Sequence, residues 1–404
     1  MKLLLSAYAC EPNKGSEPAV GWNRAQALVR LGHQVHVITR NNNREGIESA
    51  IQSNQPAPVF HYYDLSSWAL ALKRWPGGIY FYYLMWQIGA YRLAKEIHRQ
   101  RNFDCVQHVT FATYRQPSFM GRLDIPFIFG PVGGGETMPS QFRQGIPWKG
   151  RVAETLRDLG STLIAFDPLM RFTFFRAQTI ACTTSETLAR IPRRYRNKCI
   201  VQPAIGINES EIEAGSNAPT HAPHFLFIGR LLYWKGLHLV LRAMATVRQS
   251  VPHARLKIIG TGSDSDWLKS VARRAGVMDA VDWISFTPHE KIREHYRESV
   301  ALVFPSLHDS GGLVVLEALA EGVPVVCLDL GGPGALVTPS CGVVVKARQA
   351  SETSVVESLA KAMILLATDA DFRMRLQENA IARARELTWD AAAAALSCSL
   401  PATS

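Results

Sequence analysis

A glycine-rich loop followed by a helix is the stretch of this sequence in which residue types and spacing point most directly to chemistry. It reads PSLHDSGGLVVLEALAEGVPVV, residues 305–326. An apolar strand, 301–304, precedes the loop, and the helix ends at 322–324 before a second apolar strand. The unpaired N–H groups and the dipole of a helix N-terminus favour an anion. The stretch therefore predicts an anion site, with two acids, Asp309 and Glu317, beside it.

Two cations near the start of the second half could hold a diphosphate. Arg230 and Lys235 lie in a loop between the apolar strand FLFIG and the helix GLHLVLRAMATVRQS. A guanidinium binds phosphate as a fork and an ammonium as a point charge, so the two side chains can converge on one pyrophosphate. A solvated loop is the alternative, because GRxxxxKG alone is a weak pattern.

Strands and helices alternate through both halves of the chain, which predicts an α/β fold. Strand 2–7, a loop, the helix WNRAQALVRLG and strand 34–39 form a β-loop-α-β unit, the repeat of a parallel, doubly wound sheet. The same alternation resumes after a polar segment with three prolines, 201–224, which we interpret as a linker. We predict two Rossmann-like domains whose parallel sheets face each other across a cleft, residues 1–205 and 206–385, and a C-terminal helix, 386–404, that packs back on the first domain.

The charge of the chain is distributed unevenly. Residues 1–205 hold 25 Lys and Arg against 13 Asp and Glu, residues 206–404 hold 19 against 21, and the 404-residue chain carries +10. This asymmetry indicates an anionic partner of the first half, either a membrane surface or an anionic acceptor, with a solvated basic surface as the alternative. No nucleic-acid partner is expected, because zinc-finger spacing, an RNP-like aromatic stripe and a basic recognition helix are all missing from the sequence.

The cysteines and apolar segments indicate a cytoplasmic protein. Seven cysteines are scattered and none is spaced CxxC, which favours a reducing compartment. No apolar run reaches the ~18 to 20 residues of a membrane-spanning helix, and MKLLLSAYAC is typical of a buried strand rather than a signal peptide. Aromatic and basic residues in 68–101 and 151–176 nevertheless predict peripheral contact with an anionic membrane or a lipid-linked acceptor. A core helix with a few exposed aromatics is the alternative.

The segment GTGSDSD, residues 260–266, imitates two cofactor motifs. Its GxG lacks the third glycine of the dinucleotide fingerprint, which disfavours an NAD oxidoreductase. Asp264-Ser265-Asp266 has the DxD form of metal-dependent transferases of another fold, but it stands at the start of a helix, where Ser and Asp are ordinary caps. We therefore predict neither a metal nor a cofactor.

Four motifs, in this order, resemble the family-4 retaining glycosyltransferases of the GT-B fold, which use nucleotide sugars. They are KGSEPAVGWN after the first strand, IGRLLYWKG at the start of the second half, IIGTGSD in its middle, and the stretch that contains Asp309 and Glu317. Within the family, two segments resemble those of a bacterial branch that builds exopolysaccharide or related surface glycans: YACEPNKGSEPAVGWN and GPVGGGE.

For the second domain the resemblance implies a nucleotide-sugar site. Arg230 and Lys235 would neutralise the leaving diphosphate, and Glu317 would accept hydrogen bonds from both ribose hydroxyls. Asp309 stands where the family usually has Glu, so its shorter carboxylate would contact the sugar with a shifted geometry. Further donor contacts are implied for Gly260, Gly262, Phe286, Thr287, Ser310, Gly311, Gly312 and Leu313.

For the first domain the resemblance implies residues that face the sugar and the acceptor. His108, at the end of the strand CVQH, matches the family's histidine near the reacting carbon, where it can hydrogen-bond a hydroxyl or stabilise developing charge. A strand-end histidine bonded to backbone is the alternative, and His61 is a weaker rival. The glycine loops, which could also be only tight turns, would contribute Gly15, Ser16 and Gly21 on the donor side and Gly133, Gly134 and Glu136 on the acceptor side.

These features predict a retaining transferase that moves a hexose from a nucleotide diphosphate sugar to a hydroxyl of a glycan or lipid-linked acceptor, in polysaccharide or surface-glycan biosynthesis. The resemblance implies front-face attack, with the departing phosphate taking the acceptor proton, and domain closure that excludes water. Two alternatives remain: a nucleotide-sugar epimerase or phosphorylase on the same fold, and a non-catalytic subunit that binds nucleotide sugars, for which Asp309 is the only hint.

Overall fold

The secondary structure alternates between strand and helix in both halves of the chain. A computed structural model describes residues 1–51, 55–75, 77–212 and 223–397, so the segment interpreted as a linker lies partly outside the described residues. The strands are β1 (Lys2–Ser6), β2 (Gln34–Thr39), β3 (Val59–Tyr62), β4 (Cys105–His108), β5 (Phe127–Val132), β6 (Thr179–Cys182), β7 (Cys199–Val201), β8 (His224–Ile228), β9 (Arg255–Ile259), β10 (Val281–Ile284), β11 (Ala301–Phe304), β12 (Val325–Leu328) and β13 (Gly342–Val345). The helices are α1 (Glu17–Arg30), α2 (Arg44–Ala50), α3 (Ser67–Leu70), α4 (Gly78–Arg101), α5 (Trp148–Leu163), α6 (Pro168–Arg176), α7 (Ser185–Arg190), α8 (Leu237–Ser250), α9 (Ser265–Arg274), α10 (His289–Arg297), α11 (Leu313–Ala320), α12 (Gly331–Leu336), α13 (Glu352–Thr368), α14 (Ala370–Glu386) and α15 (Trp389–Ser397).

The chain divides into two compact units, each built on one parallel sheet. The first sheet has the order β3-β2-β1-β4-β5-β6-β7 and the second the order β10-β9-β8-β11-β12-β13. Each order reverses once, between β1 and β4 and between β8 and β11, and ligands of doubly wound sheets bind beyond the C-terminal ends of the strands at that point. The predicted α/β class with two Rossmann-like sheets is confirmed, and the loops after β8 and β11 become the place to look for a site.

The strands beside the reversal of the second sheet are buried along their whole length. Every residue of β11 and β12 is buried, because the helices of a parallel sheet cover both of its faces. This explains why ALVF and VVCL are continuous apolar runs rather than alternating patterns.

The unit boundaries differ from the sequence-based division at residues 136–159 and 386–388. The first unit comprises residues 1–135, 160–205 and the segment from Trp389, and the second comprises residues 136–159 and 206–388. Residues 136–159 had been assigned to the first domain. They cluster with the second unit because of contacts such as that between Glu154 and Tyr233, 79 positions apart, which leave no local pattern in the sequence.

The helix α15 belongs to the first unit. Arg24, buried on α1, donates from Nη1 to the carbonyl oxygen of Ala392 at 2.7 Å. Arg30 of the same helix pairs with Asp390, with Nη2 and Oδ1 2.7 Å apart. Two arginines of α1 therefore hold α15 in place.

The aromatic segment predicted to contact a membrane is only partly exposed. Tyr82, Tyr83 and Trp86 on α4 lie in the core of the first unit. Trp68, Trp75, Tyr80 and Phe81 are exposed. The middle of this segment is thus a core helix, as the alternative interpretation had it, and only its beginning offers aromatic surface.

Candidate functional site

Close backbone packing joins the loops that follow β8 and β11. Gly236 has a φ of 73°, and a Cβ there would overlap the carbonyl oxygen of Pro305, so only glycine fits. The N–H of Leu307 donates to the carbonyl oxygen of Trp234 at 2.8 Å. The cation loop and the glycine-rich loop therefore lie side by side at the point where the strand order reverses.

The two predicted cations have different environments. Lys235 forms an ion pair with Asp309, and the two side chains are only 15% and 21% exposed. The Lys235 ammonium also lies 5.1 Å from the centre of the Phe304 ring. Arg230 is exposed, and within the described residues the structure shows no ion-pair partner for it. Arg230 is thus open to an arriving anion, whereas Lys235 is already neutralised by Asp309.

The backbone of the loop after β12 packs against the backbone of the glycine-rich loop. Gly331 has a φ of 58°, and a Cβ there would overlap the carbonyl oxygen of Asp309. The N–H of Gly332 donates to that same oxygen at 2.6 Å, and a Cβ at Gly332 would overlap the carbonyl oxygen of Gly311. The sequence analysis missed this support, although a Gly-Gly pair soon after a buried strand indicates close backbone packing.

The helix α11 begins directly after the glycine-rich loop and carries Glu317. Its N-cap is Gly312, with a φ of 119°, and the first amides of a helix have no intrahelical acceptor. Glu317 is partly exposed, and its Oε2 accepts a hydrogen bond from the Tyr296 hydroxyl at 2.9 Å. Burial and the charge of Glu317 raise the pKa of Tyr296 well above its usual value, so the phenol remains a donor. Tyr296, which the sequence analysis missed, orients the acid.

Glu154, on α5, is a buried acid that holds both loops. Its Oε1 accepts hydrogen bonds from Nε2 of His308 and from the hydroxyl of Tyr233, each at 2.9 Å. His308 directly precedes Asp309, and Tyr233 lies two positions before Lys235. Burial alone would raise the pKa of Glu154, but the hydrogen bond and charge of His308, with the Tyr233 hydroxyl, lower it. An ionised Glu154 therefore fixes the residues next to the Lys235–Asp309 pair.

Changing Glu154 to Gln tests this positioning role. The amide removes the negative charge that strengthens both hydrogen bonds at Oε1. We therefore expect a lower melting temperature and a rise in KM for the predicted nucleotide-sugar donor of at least about threefold, since charge-assisted hydrogen bonds are worth about 1.5–3 kcal/mol and part of that is lost in stability. Melting curves and donor kinetics measure the two effects. Tyr233→Phe, which removes only one hydroxyl, is the matched control. A donor KM equal to that of the wild type in Glu154→Gln would show that the carboxylate does not position the loops.

Glu136 is buried and supports the glycine-rich loop. Its Oε2 accepts a hydrogen bond from the Ser310 hydroxyl at 2.5 Å, and Nη2 of Arg157 donates to its carbonyl oxygen at 2.9 Å. The side chain is fully buried. The prediction that Glu136 contacts an acceptor is not supported by this geometry, because its carboxylate is directed to Ser310. Gly133 and Gly134 lie in the loop after β5 of the first unit.

His108 lies in the core of the first unit. Its Nε2 is 2.9 Å from the Tyr83 hydroxyl and its Nδ1 is 2.8 Å from Oγ of Ser118, and the residue is 1% exposed. Burial lowers its pKa to about 4, so the imidazole is neutral near pH 7. Both ring nitrogens are thus engaged inside the unit, which does not favour the predicted contact with a sugar; that contact stays a prediction. His61, the weaker rival, pairs with His36, with Nε2 and Nδ1 2.9 Å apart.

The loop after β1 and the start of α1 contain the other predicted residues of the first unit. Gly15 and Ser16 are exposed, beyond the C-terminal end of a strand at which the sheet order reverses. Gly21 lies inside α1, and a Cβ there would overlap the carbonyl oxygen of Ala9. Gly21 is therefore required for packing, and only Gly15 and Ser16 are placed to meet a ligand.

The loop after β9 packs against the cation loop. A Cβ at Gly260 would overlap the carbonyl oxygen of Gly229, and one at Gly262 that of Leu231. Both glycines thus allow the loops to pack closely. Phe286, which is 80% exposed, and Thr287 follow β10.

The DxD segment supports the cation loop. Asp264 occupies the N-cap position of α9, but its side chain makes no capping bond; its Oδ2 instead accepts from the N–H of Tyr233 at 2.8 Å. In the described parts of the chain, no three His, Cys, Asp or Glu side chains are arranged to hold a metal ion. Independence from metals stays a prediction.

The second unit also matches a known protein family. Residues 208–383 match the family described as Glycosyl transferases group 1. The chain carries a Glycosyl transferases group 1 domain. D-inositol 3-phosphate glycosyltransferase from Corynebacterium aurimucosum is 31% identical over 185 residues, which are 44% of this chain and 42% of that relative. The chain thus matches about two fifths of the relative's length.

Solved structures share the whole fold of this chain. Sucrose-phosphate synthase from Thermosynechococcus elongatus superposes with a TM-score of 0.65 at 17% identity, over 98% of this chain and 97% of its own. HepE from Anabaena in complex with UDP gives a TM-score of 0.65 at 13% identity, over 99% of both chains. The predicted GT-B fold class is confirmed. Arg230, Lys235, Asp309 and Glu317 lie inside the Glycosyl transferases group 1 domain, whereas His108 lies outside it.

Proposed function

We propose that this protein is a retaining glycosyltransferase that moves a hexose from a nucleotide diphosphate sugar to a hydroxyl of a glycan or lipid-linked acceptor. One observation carries the proposal: Arg230, Lys235 and the start of α11 meet where the second sheet reverses its order, beside an acid, Glu317, that is oriented by Tyr296. Cations, free amides and a carboxylate are the groups that a diphosphate and a ribose need.

The Lys235–Asp309 pair suggests how the donor would enter the site. A diphosphate at the start of α11 would accept hydrogen bonds from the loop amides, while Arg230 binds it as a fork. The added negative charge would draw the Lys235 ammonium from Asp309. The Asp309 carboxylate would then be free to accept hydrogen bonds from the hexose. We propose that this exchange replaces the direct contact with the hexose that the longer side chain of Glu would make at position 309.

Turnover would depend on stabilising the leaving diphosphate. Charge that develops on the phosphate as the glycosidic bond breaks would be offset by Arg230, Lys235 and the loop amides, which are already in place. The departing phosphate oxygen would take the proton of the acceptor hydroxyl as the new bond forms on the same face of the sugar. None of these steps needs a side-chain nucleophile or a metal.

The comparisons support a uridine donor as the first to test. HepE has been solved with UDP and with UDP-glucose, and the curated relative bears the name of a glycosyltransferase. The motifs quoted above support a role in polysaccharide or surface-glycan biosynthesis. Six cysteines in the described residues form no disulfide, in accord with the proposed cytoplasmic location. Contact with the inner face of the membrane is part of the same proposal.

A thermal-shift screen tests donor binding. The full chain is heated with UDP, GDP, ADP and their common sugars in the presence of EDTA, and one nucleotide series is expected to raise the melting temperature by a few degrees, because ligand at 100 times its Kd adds about 2.7 kcal/mol of stability. The matching nucleoside, which lacks the diphosphate, is the control and should give a much smaller shift.

The outcome of turnover assays separates the alternatives. Sugar transfer to lipid extracts or glycans, with the anomeric configuration read by NMR, would establish a retaining transferase. A donor altered without any acceptor would indicate an epimerase or phosphorylase. A donor that binds but is never consumed would indicate a binding subunit. No shift with any nucleotide would contradict the proposed site.

A further inference from the structure

The helix α5 presents polar side chains to the protein and apolar side chains to solvent. Glu154 is buried against His308 and Tyr233, Arg157 donates to the carbonyl oxygen of Glu136, and Asp158 pairs with Arg143. A surface helix of a globular protein normally shows the opposite arrangement, with its apolar stripe toward the core. The polarity of α5 is therefore reversed.

The outward face of α5 is a continuous apolar stripe. Its members recur at intervals of four, four, three and four positions, which is the spacing of one helix face. Each is at least half exposed, from 50% to 67%. These residues, which we call the α5 stripe, are Trp148, Val152, Leu156, Leu159 and Leu163.

The charges near the α5 stripe are of one sign. Among the described side chains of residues 148–176, the exposed charged ones are Lys149, Arg151 and Arg171. The acids of this segment are engaged elsewhere: Glu154 and Asp158 as described above, and Asp167 as the N-cap of α6, where it accepts from the N–H of Leu169 at 2.8 Å. On α5 itself the exposed charged side chains are Lys149 and Arg151, and these two form the cationic border of the stripe.

Exposed aromatic residues continue along the chain after α5. Phe166 and Phe175, in the first unit, are 77% and 65% exposed. Aromatic and long cationic side chains together favour the boundary between the headgroups and the acyl chains of a bilayer. In the described segments, no helix has both the length and the apolar content required to cross a membrane.

We propose that the α5 stripe is a docking surface for an anionic lipid bilayer, with the helix lying in the plane of the membrane and its apolar face in the headgroup boundary. The cationic border complements anionic headgroups, whereas it would repel an identical border on a second copy. The inference does not depend on transferase activity. It identifies the helix, rather than the aromatic segment of α3 and α4, as the principal contact.

Vesicle cosedimentation of the full chain tests the proposal. Vesicles of phosphatidylglycerol and phosphatidylcholine are expected to bind the protein, phosphatidylcholine alone much less, and binding should weaken as salt rises. The triple variant Leu156→Ser, Leu159→Ser, Leu163→Ser should bind at least about tenfold more weakly, because three apolar side chains no longer enter the boundary. These positions are exposed, so the melting temperature should change little.

Matched controls separate docking from general surface effects. The first control is Leu365→Ser with Met374→Ser, on α13 and α14, whose side chains are 42% and 52% exposed. It removes exposed apolar side chains away from α5 and should leave vesicle binding unchanged. Lys149→Gln with Arg151→Gln should remove most of the salt dependence of vesicle binding. Equal binding by the triple variant and the wild type would overturn the proposal. So would the absence of any wild-type binding, or a dimer in sedimentation velocity that the triple variant abolishes.

Discussion

Replacing Lys235 with alanine is expected to lower kcat/KM for the nucleotide sugar by at least about tenfold, since charge-assisted contacts contribute about 1.5–3 kcal/mol. The loss has two parts. The ammonium no longer binds the diphosphate, and Asp309, its partner in the ion pair, remains as an uncompensated negative charge beside the phosphates. Steady-state kinetics and calorimetric binding of the nucleoside diphosphate measure the effect.

The double variant Lys235→Ala, Asp309→Asn separates these two parts. Because it removes the repelling carboxylate, it should bind the diphosphate more tightly than Lys235→Ala alone, while sugar transfer remains low. Lys257→Ala is the matched control: Lys257 also forms an ion pair within the second unit, with Glu298, and its side chain is likewise 15% exposed. Donor affinity in Lys257→Ala should equal that of the wild type. If Lys235→Ala also behaves like the wild type, the assignment of the diphosphate site is wrong.

Replacing Glu317 with alanine is expected to weaken nucleotide-sugar binding by at least about tenfold, through loss of the hydrogen bonds to the ribose hydroxyls. The fold should tolerate the change, because the Tyr296 hydroxyl keeps a second acceptor, the carbonyl oxygen of Val314 at 3.1 Å. A donor nucleotide with 2′-deoxyribose provides the decisive comparison. It should bind the wild type more weakly than the ribonucleotide does, and the difference should shrink in Glu317→Ala.

Tyr296→Phe is the companion of this experiment. It leaves the Glu317 carboxylate in place but removes the hydroxyl that orients it, so an intermediate loss of affinity is expected. A deoxyribose penalty of the same size in Glu317→Ala and in the wild type would show that the acid does not read the ribose. The assignment of the sugar-nucleotide end of the site would then have to change.

The order of elements could be predicted from the sequence alone, and so could the loops that form the candidate site. Buried parallel strands are short apolar runs, and helices between them show a longer apolar period, so the alternation is a local property of the chain. The loops at Arg230–Lys235 and Asp309–Gly312 follow such runs directly. Parallel strands end at the same edge of a sheet, so loops that are distant in sequence can meet there, and these two do so through Gly236 and Pro305.

What the local pattern could not supply is the partner of each charged side chain. Three such pairs join residues that are far apart in the sequence. They are Lys235 with Asp309, Glu154 with His308, and Glu136 with Ser310, separated by 74, 154 and 174 positions. The strand position of His108 was predicted, but its contacts with Tyr83 and Ser118, 25 and 10 positions away, leave no local pattern either.

The direction in which α5 faces was also decided only by the tertiary structure. The sequence of α5 shows one apolar and one polar face, and by itself such a pattern places the apolar face inward. In the folded protein, Glu154 is directed inward instead, because it satisfies the buried groups of His308 and Tyr233, and a buried polar group without a partner would cost more than an exposed leucine. Amphipathic spacing determines that a helix has two faces; the groups against which it packs determine which of them meets the solvent.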